Sequence, residues 1–164
     1  MSGALLLADS GPLIALARLD LLGLPAVFFE SVIVTSTVWE EVTRLPRPVE
    51  TQRLTSALNS KLFQIQPDPL QIPEALLISS IDAGERTAIA LALELNASLL
   101  IDERKGRRVA RQFGCPVVGT IGLLLRAKES GHIAALRPLI ERLQASNYYL
   151  PQAEVIKVLA YLPE

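Results

Sequence analysis

Residues 82–111, DAGERTAIALALELNASLLIDERKGRRVAR, carry the strongest fold signal in the chain. The first half repeats apolar residues at helical spacing and predicts a helix over residues 82–96. The apolar run at 99–101 predicts a buried strand that ends at Asp102. A basic helix follows over residues 104–113 and is closed by Gly114. A helix, a strand and a second helix in succession are typical of a parallel sheet covered by helices.

The same alternation continues on both sides of this stretch. On the N-terminal side we predict strands at residues 4–8, 32–35 and 62–66 and helices at residues 12–19, 37–45 and 49–61. On the C-terminal side we predict a strand at 116–118 and helices at 121–130, 136–144 and 151–162. Prolines at 67, 69 and 73 predict an irregular connection between the two halves. The pattern therefore predicts an α/β fold, a three-layer α/β/α sandwich with a central parallel sheet.

Length and composition favour one domain. The 164 residues fit a single domain over residues 1–164, with a C-terminal helical segment at about 133–162. Half of the residues are hydrophobic and the mean hydropathy is +0.35. A large core or a homodimer interface would bury this surface, and we expect a homodimer. The net charge of −1 excludes a global basic signature, so any nucleic acid must meet a local patch.

Cysteine and histidine are too scarce for several kinds of site. The chain has one of each, Cys115 and His132, which excludes an internal disulfide, a zinc cluster of several thiolates and a His–His acid/base pair. The opening residues MSGALLLADS lack a basic segment, and no apolar run is long enough for a membrane span. We expect a cytoplasmic protein without a membrane partner.

Four acidic residues fall where one edge of the predicted sheet should collect them. Asp9 and Asp102 each end a predicted strand, while Glu41 and Glu85 lie early in predicted helices. In an open parallel sheet, ligands bind at the carboxyl ends of the strands, and the following helices begin at that same edge. Each residue alone has a plainer explanation as a helix cap or a solvated side chain. Together they predict one acidic site.

Helical phase separates Glu41 from its neighbour. Glu41 shares a face with Val38, whereas Glu40 points about 200° away from Val38 at 100° per residue. Thr37 and Glu40 also match a capping box, which would give Glu40 a structural role. Glu85 has a similar capping alternative with Asp82. Whether Glu40 or Glu103 replaces or supplements Glu41 stays open.

Clustered carboxylates repel one another unless a cation or a proton neutralises them. Mg²⁺ and Mn²⁺ prefer oxygen ligands, commonly one or two carboxylates together with waters and substrate phosphate oxygens. Such ions activate water and stabilise the leaving oxygen of a phosphodiester. The sequence therefore predicts a site for Mg²⁺ or Mn²⁺ formed by Asp9, Glu41, Glu85 and Asp102. The basic helix beside it places Arg104, Arg108 and Arg111 on one face, as a phosphate-binding stripe or as a solvated surface.

Three segments resemble the PIN-domain superfamily, and within it a VapC-like branch related to toxin–antitoxin nucleases. They are ADSGPLIALARLDLL, DAGERTAIALALELNASLLIDERKGRRVA and GTIGLLLRAKESGHI, and the resemblance runs from about residue 5 to about residue 143. It implies an Mg²⁺- or Mn²⁺-dependent endoribonuclease, frequently a dimer, that is silenced by a small antitoxin protein. By position, Asp9, Glu41, Glu85 and Asp102 match the family's acidic residues, and Ser10 matches its serine or threonine after the first aspartate. Glutamate at position 85, where many members carry aspartate, is the departure.

Two other classes of protein share an acidic α/β pocket. A non-catalytic PIN-like module that binds RNA or protein is the alternative to the nuclease. A receiver-like signalling domain needs paired acids after the first strand, but Ala8 precedes Asp9. The chain has neither a GxxxxGK[ST] loop nor a GxGxxG motif for nucleotide binding.

Overall fold

Short apolar runs form a parallel sheet of five strands in the computed structural model, which describes residues 4–164. The first three residues, which belong to the predicted domain and to the segment considered for a signal peptide, lie outside the described residues. The strands are β1 (Leu5–Ala8), β2 (Ser31–Thr35), β3 (Gln64–Gln66), β4 (Ser98–Leu100) and β5 (Val117–Val118). All of the predicted strands are therefore present.

The strand order is β3-β2-β1-β4-β5, and every neighbouring pair is parallel. Strands β1 to β3 form one side of the sheet, and the chain then returns to place β4 and β5 on the other side of β1. The register places Leu6 opposite Val32 on one side of β1, and Ala8 opposite Leu100 on the other. The point at which the order reverses lies between β1 and β4, where such sheets bind ligands.

Helices cover both faces of this sheet. Leu6, Leu7 and Ala8 follow one another in β1 and all have zero exposure. Successive side chains of a strand point to opposite faces, so both faces of β1 are buried. This confirms the predicted α/β fold with its three layers.

Ten helices within the described part of the chain connect and flank the strands. They are α1 (Ser10–Arg18), α2 (Pro25–Phe28), α3 (Ser36–Arg44), α4 (Pro48–Asn59), α5 (Glu74–Leu77), α6 (Ala83–Leu95), α7 (Arg104–Gln112), α8 (Thr120–Glu129), α9 (Arg137–Ala145) and α10 (Gln152–Tyr161). The sequence predicted all except α2 and α5, which are single turns and too short to show a helical period. Within residues 4–164, no helix is long and apolar enough to cross a membrane.

Two of the predicted helix starts were wrong. Helix α1 begins at Ser10, two residues before the predicted start at Pro12, because Asp9 already has the extended backbone of an N-cap residue. Helix α3 is capped by Thr35, whose hydroxyl accepts a hydrogen bond from Val38 N at 3.2 Å. The predicted capping box at Thr37 is therefore absent, and the Thr37 hydroxyl and backbone N–H bind Asp68 instead.

The acidic side chains that cap α6 and α7 are used in those helix ends, and the neighbouring acidic side chains are free to make other contacts. Asp82 accepts a hydrogen bond from Glu85 N at 2.8 Å and caps α6. Glu103 accepts one from Gly106 N at 2.7 Å and caps α7. Asp102 was a possible cap for α7 on sequence grounds, but the structure gives that role to Glu103. The carboxylates of Glu85 and Asp102 are free of capping.

Candidate active site

Asp9 and Asp102 meet at the point where the strand order reverses. The backbone N–H of Asp9 donates to the Leu100 carbonyl at 3.0 Å, so the ends of β1 and β4 stay side by side beyond the last paired residues. Both side chains line one cleft of about 510 Å³. We name this the acidic cleft because its other charged residues are mostly carboxylates: Asp82, Glu85 and Glu103, with Arg104 at one side.

Asp9 is an acid in an unfavourable electrostatic position. It is only 6% exposed. The pKa of Asp9 is raised to about 7, mainly by burial. A backbone hydrogen bond at Ser10 lowers the pKa, and the nearby charges of Asp82, Glu41 and Asp102 contribute to raising it. A buried carboxylate without a partner cation takes up a proton more readily, or it binds a metal ion.

Glu85 faces the same cleft from the first turn of α6 and is also 6% exposed. Its Oε2 atom is buried and has no hydrogen-bond partner. Burial is the largest cause of a raised pKa at Glu85, followed by its interactions with Asp82 and the charge of Asp9. Gly106 makes this placement possible, because a Cβ atom at that position would lie 3.2 Å from the Glu85 Cδ atom and closer still to Oε2.

Asp102 is 3% exposed, and it is well supplied with hydrogen-bond donors. The Thr120 backbone N–H donates to Oδ1 at 2.7 Å, and the Thr120 hydroxyl donates to Oδ2 at 2.5 Å. The hydroxyl of Tyr148 donates to Oδ2 as well, at 2.5 Å. These donors orient the carboxylate and satisfy most of its acceptor positions.

Glu41 lies behind the acidic cleft and does not line it. Its Oε2 atom accepts a hydrogen bond from the Ser10 hydroxyl at 2.6 Å. A Cβ atom at Gly84 would lie 2.7 Å from the Glu41 Cδ atom, so the carboxylate rests against the start of α6. Glu40 is exposed while Glu41 is half-buried, as the helical phase predicted, although the capping argument for Glu40 was wrong.

Several residues of the cleft were not singled out as site residues from the sequence. The sequence pattern indicates Asp82 only as a helix cap and Glu103 only as a possible supplement to Glu41. Tyr148 and Tyr149 reach the cleft from the loop between α9 and α10. A residue in a loop carries no periodic signal, so nothing in the sequence indicated these two positions. Thr120 closely follows β5, which neighbours β4 in the sheet. Its position after a strand is the sequence signal that could have indicated a contact with Asp102.

The basic helix α7 borders a second cleft of about 500 Å³ next to the acidic one. Arg104, Arg107 and Arg111 line it, and we name it the basic cleft. Of the predicted stripe, Arg104 and Arg111 therefore share a cavity, whereas Arg108 is exposed and lines neither cleft. Arg107 was not part of the predicted stripe. It lies one turn before Arg111, and its Nη2 atom is 3.3 Å from Oε1 of Glu154.

The donor set of the acidic cleft suits a hard divalent cation. In the side-chain conformations of residues 4–164, no three Asp, Glu, His or Cys side chains are arranged to hold an ion together. Asp102 and Glu41 are turned toward protein hydroxyls. Asp9 and Glu85 are buried in the cleft, and Glu85 Oε2 lacks any partner. Mg²⁺ and Mn²⁺ commonly take one or two carboxylates and complete their shell with water, so this pair fits such an ion.

Comparison with a solved structure supports the fold. PAE2754 from Pyrobaculum aerophilum superposes with a TM-score of 0.54 and 16% identity, over 77% of this chain and 97% of that one. A PilT N-terminus domain protein, SSO1118, from Sulfolobus solfataricus P2 gives a TM-score of 0.47 and 14% identity, over 75% of this chain and 92% of that one. No curated protein matches the chain.

A family model gives the clearest assignment. The model of DUF3368, described as a PIN domain, matches residues 5–164. PIN domains are typically nucleases and usually use divalent metal ions. The matched residues include the whole sheet and both clefts. The chain belongs to the PIN-domain family.

Proposed function

We propose that this protein is an Mg²⁺- or Mn²⁺-dependent endoribonuclease of the VapC-like branch, the toxin of a toxin–antitoxin pair or a related RNA-processing enzyme. One observation carries the proposal. Asp9 and Glu85 are both buried in a single cleft at the sheet's switch point, with raised pKa values and an unpartnered Glu85 oxygen. This arrangement is costly without a cation, and a divalent ion would relieve the cost.

The proposed roles follow from the surroundings of each acid. Asp9 and Glu85 would bind the ion directly, and Asp102, held by Thr120 and Tyr148, would add negative charge beside them. When bound, the ion supplies an activated water and neutralises charge on the phosphate. Glu41 would act as a fourth carboxylate, kept by Ser10 just behind the cleft.

Substrate binding is proposed for the hydroxyl and cations that surround these acids. Ser10 lines the acidic cleft, and Arg104 lines both clefts. With Arg108 and Arg111, these residues form the proposed contacts with RNA phosphates. Arginine suits this task because its planar guanidinium binds phosphate oxygens in pairs.

A non-catalytic RNA- or protein-binding module is the second candidate, and one observation favours it. Asp102 already accepts three hydrogen bonds from the protein, which leaves little acceptor capacity for an ion. In that case the cleft would bind RNA or a protein segment without cutting. Metal binding and cleavage separate the two candidates.

The test measures both properties on one preparation. A labelled single-stranded RNA is incubated with Mg²⁺, Mn²⁺ or EDTA, and thermal unfolding is recorded under the same conditions. We expect cleavage with either metal, none with EDTA, and a rise of the melting temperature with Mn²⁺. Asp9→Asn should remove both the cleavage and the Mn²⁺-dependent rise. Asp20→Asn, which removes one charge at an exposed position just after α1, should change neither. Cleavage by Asp9→Asn at the wild-type rate would reject the assignment.

The proposed partners are a small antitoxin protein and a second copy of the chain. Exposed apolar side chains between β3 and α6 support a protein contact: Leu70, Leu77 and Ile78. Sedimentation of the purified chain would give a dimer mass if this proposal holds. A monomer at all concentrations tested would reject the homodimer.

A further inference from the structure

The acidic and basic clefts adjoin each other. They share Asp102, Arg104 and Tyr149 as lining residues. The side away from these shared residues is formed by Arg107 and Arg111 of α7 and by the first turn of α10. A chain that leaves the acidic cleft over Arg104 therefore enters a cavity of opposite charge.

The basic cleft contains more positive charge than the protein neutralises. Arg104 and Arg111 are exposed and have no ion-pair partner among the described residues. Arg107 is paired through Nη2 with Glu154, at 3.3 Å. Its Nη1 atom is buried and has no hydrogen-bond partner in the described part of the chain. That atom packs beside Gly119, so the free positive charge of the cleft comes from Arg104 and Arg111, whose unpaired guanidinium groups favour an incoming anion.

Tyr149 stands at the boundary of the two clefts. Its neighbour Tyr148 is half-buried and bonded to Asp102, whereas Tyr149 is 55% exposed. A large aromatic side chain left in solvent beside a cationic cavity offers a surface on which a base can stack. Only an unpaired base can reach such a surface, because the faces of a paired base are covered within the helix.

We propose that the basic cleft is a nucleotide subsite for single-stranded RNA. It would hold the nucleotide that adjoins the scissile bond, with its base on Tyr149 and its phosphate between Arg107 and Arg111. This inference rests on the proposed nuclease function and specifies the substrate of the same site. Glu154 holds Arg107 in the free protein, and the RNA phosphate replaces that carboxylate when the strand enters.

The first test examines the stacking surface without requiring cleavage. Binding of a short fluorescent single-stranded RNA of mixed sequence is measured by anisotropy in EDTA, for the wild type, Tyr149→Ala and Tyr149→Phe. Stacking on an aromatic ring contributes about 1–3 kcal/mol per base, so we expect roughly tenfold weaker binding by Tyr149→Ala. Tyr149→Phe should bind as the wild type does. In cleavage assays Tyr149→Ala should raise KM and leave kcat almost unchanged.

The second test examines the charges. Arg111→Ala should weaken binding and reduce the slope of log Kd against log salt by about one. Arg44→Ala removes the same charge at an exposed position in the last turn of α3 and should leave the slope unchanged. Glu154→Gln should bind RNA roughly threefold more tightly, because it releases Arg107. Glu141→Gln removes an exposed charge on α9 and should change binding less than Glu154→Gln.

The outcomes separate this subsite from the proposed function. If the wild type cleaves single-stranded RNA but Tyr149→Ala and Arg111→Ala bind it as tightly as the wild type, the subsite is rejected and the nuclease remains. Equal binding of a fully paired duplex of the same sequence would also reject the stacking. If the wild type neither binds nor cleaves RNA, the proposed function itself is wrong.

Discussion

The hydroxyl of Tyr148 donates to Oδ2 of Asp102 at 2.5 Å, across 46 positions of sequence. This bond ties the loop between α9 and α10 to the end of β4 and forms part of the wall of the acidic cleft. Gly11 leaves room for the ring, since a Cβ atom there would lie 3.0 Å from the Tyr148 oxygen. The C-terminal helical segment therefore contributes directly to the candidate site.

Tyr148→Phe tests whether this bond restrains the metal site. The variant keeps the ring and removes one of the two hydroxyls that donate to Oδ2. Only the Thr120 hydroxyl then remains there, and one acceptor position becomes available to an ion. We expect Mn²⁺ to bind a few-fold more tightly in a calorimetric titration, with a loss of about 1 kcal/mol in the free energy of unfolding. Tyr161→Phe is the control, because Tyr161 is exposed and lies in α10 away from the acidic cleft. Unchanged or weaker Mn²⁺ binding by Tyr148→Phe would show that the hydroxyl does not compete with the ion.

Neutralising the two aspartates should have different effects on stability. From the sequence, removal of either clustered charge is expected to leave stability unchanged or raise it. The structure keeps that expectation for Asp9→Asn. Asp102 differs because an asparagine amide would meet the N–H and O–H donors of Thr120 with one acceptor oxygen in place of two. We expect Asp102→Asn to lower the free energy of unfolding by about 1–3 kcal/mol.

Denaturant unfolding of both variants at pH 8 in EDTA measures this difference, and cleavage should be lost in both. A destabilised Asp9→Asn, or an Asp102→Asn as stable as the wild type, would contradict the electrostatic description of the cleft.

The positions of Asp9 and Asp102 were predictable because the relevant signal is local. Each ends an apolar run, and parallel strands bring their carboxyl ends to one edge. The inward direction of Glu41 was predictable in the same way, from helical phase. The face of a helix on which a residue lies depends on residue spacing and not on the exact helix start. The wrong prediction of the Thr37 cap therefore did not affect the predicted direction of Glu41.

The rest of the site depends on contacts that no local pattern encodes. The cap of α3 is Thr35 because the hydroxyl of Thr37 finds a partner, Asp68, in a distant loop. The approach of Tyr148 to Asp102 depends on the path of a connection between two helices. Arg107 joins the basic cleft because Glu154 of α10 packs beside it, a contact between residues 47 positions apart.

The pH dependence of stability follows from the raised pKa of Asp9, about 7 against an ordinary value of 3.8. Because the folded protein holds this proton more tightly than the unfolded chain, the stabilisation is complete below pH 4 and is lost as the pH rises through about 7. Three units of pKa correspond to about 4 kcal/mol as an upper limit. Glu85, whose pKa is also raised, adds a loss of the same sign.

We therefore expect the metal-free protein to have a lower free energy of unfolding at pH 8 than at pH 5, measured by urea denaturation in EDTA. Measurements above pH 5 avoid the opposite contribution of Glu164, whose pKa is lowered to about 2 mainly by its hydrogen bond with Lys128. Asp9→Asn should reduce the slope of the profile and leave the contribution of Glu85, and Mn²⁺ should reduce the slope as well. A wild-type profile that rises from pH 5 to pH 8 would contradict the raised pKa of Asp9.

Gly84→Ala tests the packing between α6 and Glu41. A Cβ atom at position 84 would overlap the Glu41 carboxylate, with 2.7 Å to Cδ. This carboxylate ends a flexible side chain, so it can turn away at small cost, but it then loses the hydrogen bond from Ser10. Alanine also favours a helix over glycine by about 1 kcal/mol, which offsets the strain. We expect cleavage to fall at least tenfold, while the free energy of unfolding changes by less than about 1 kcal/mol.

Gly122→Ala in α8 is the matched control for this substitution. Its Cβ atom would meet only Val118 Cγ2 at 3.7 Å, an ordinary van der Waals contact. We expect this variant to gain up to about 1 kcal/mol of stability and to cleave RNA at the wild-type rate. Cleavage assays and thermal unfolding of both variants, run in parallel, measure the differences in rate and stability. If Gly84→Ala cleaves as fast as Gly122→Ala, the position of the Glu41 carboxylate does not affect the reaction, and the proposal that Glu41 is a site residue is rejected.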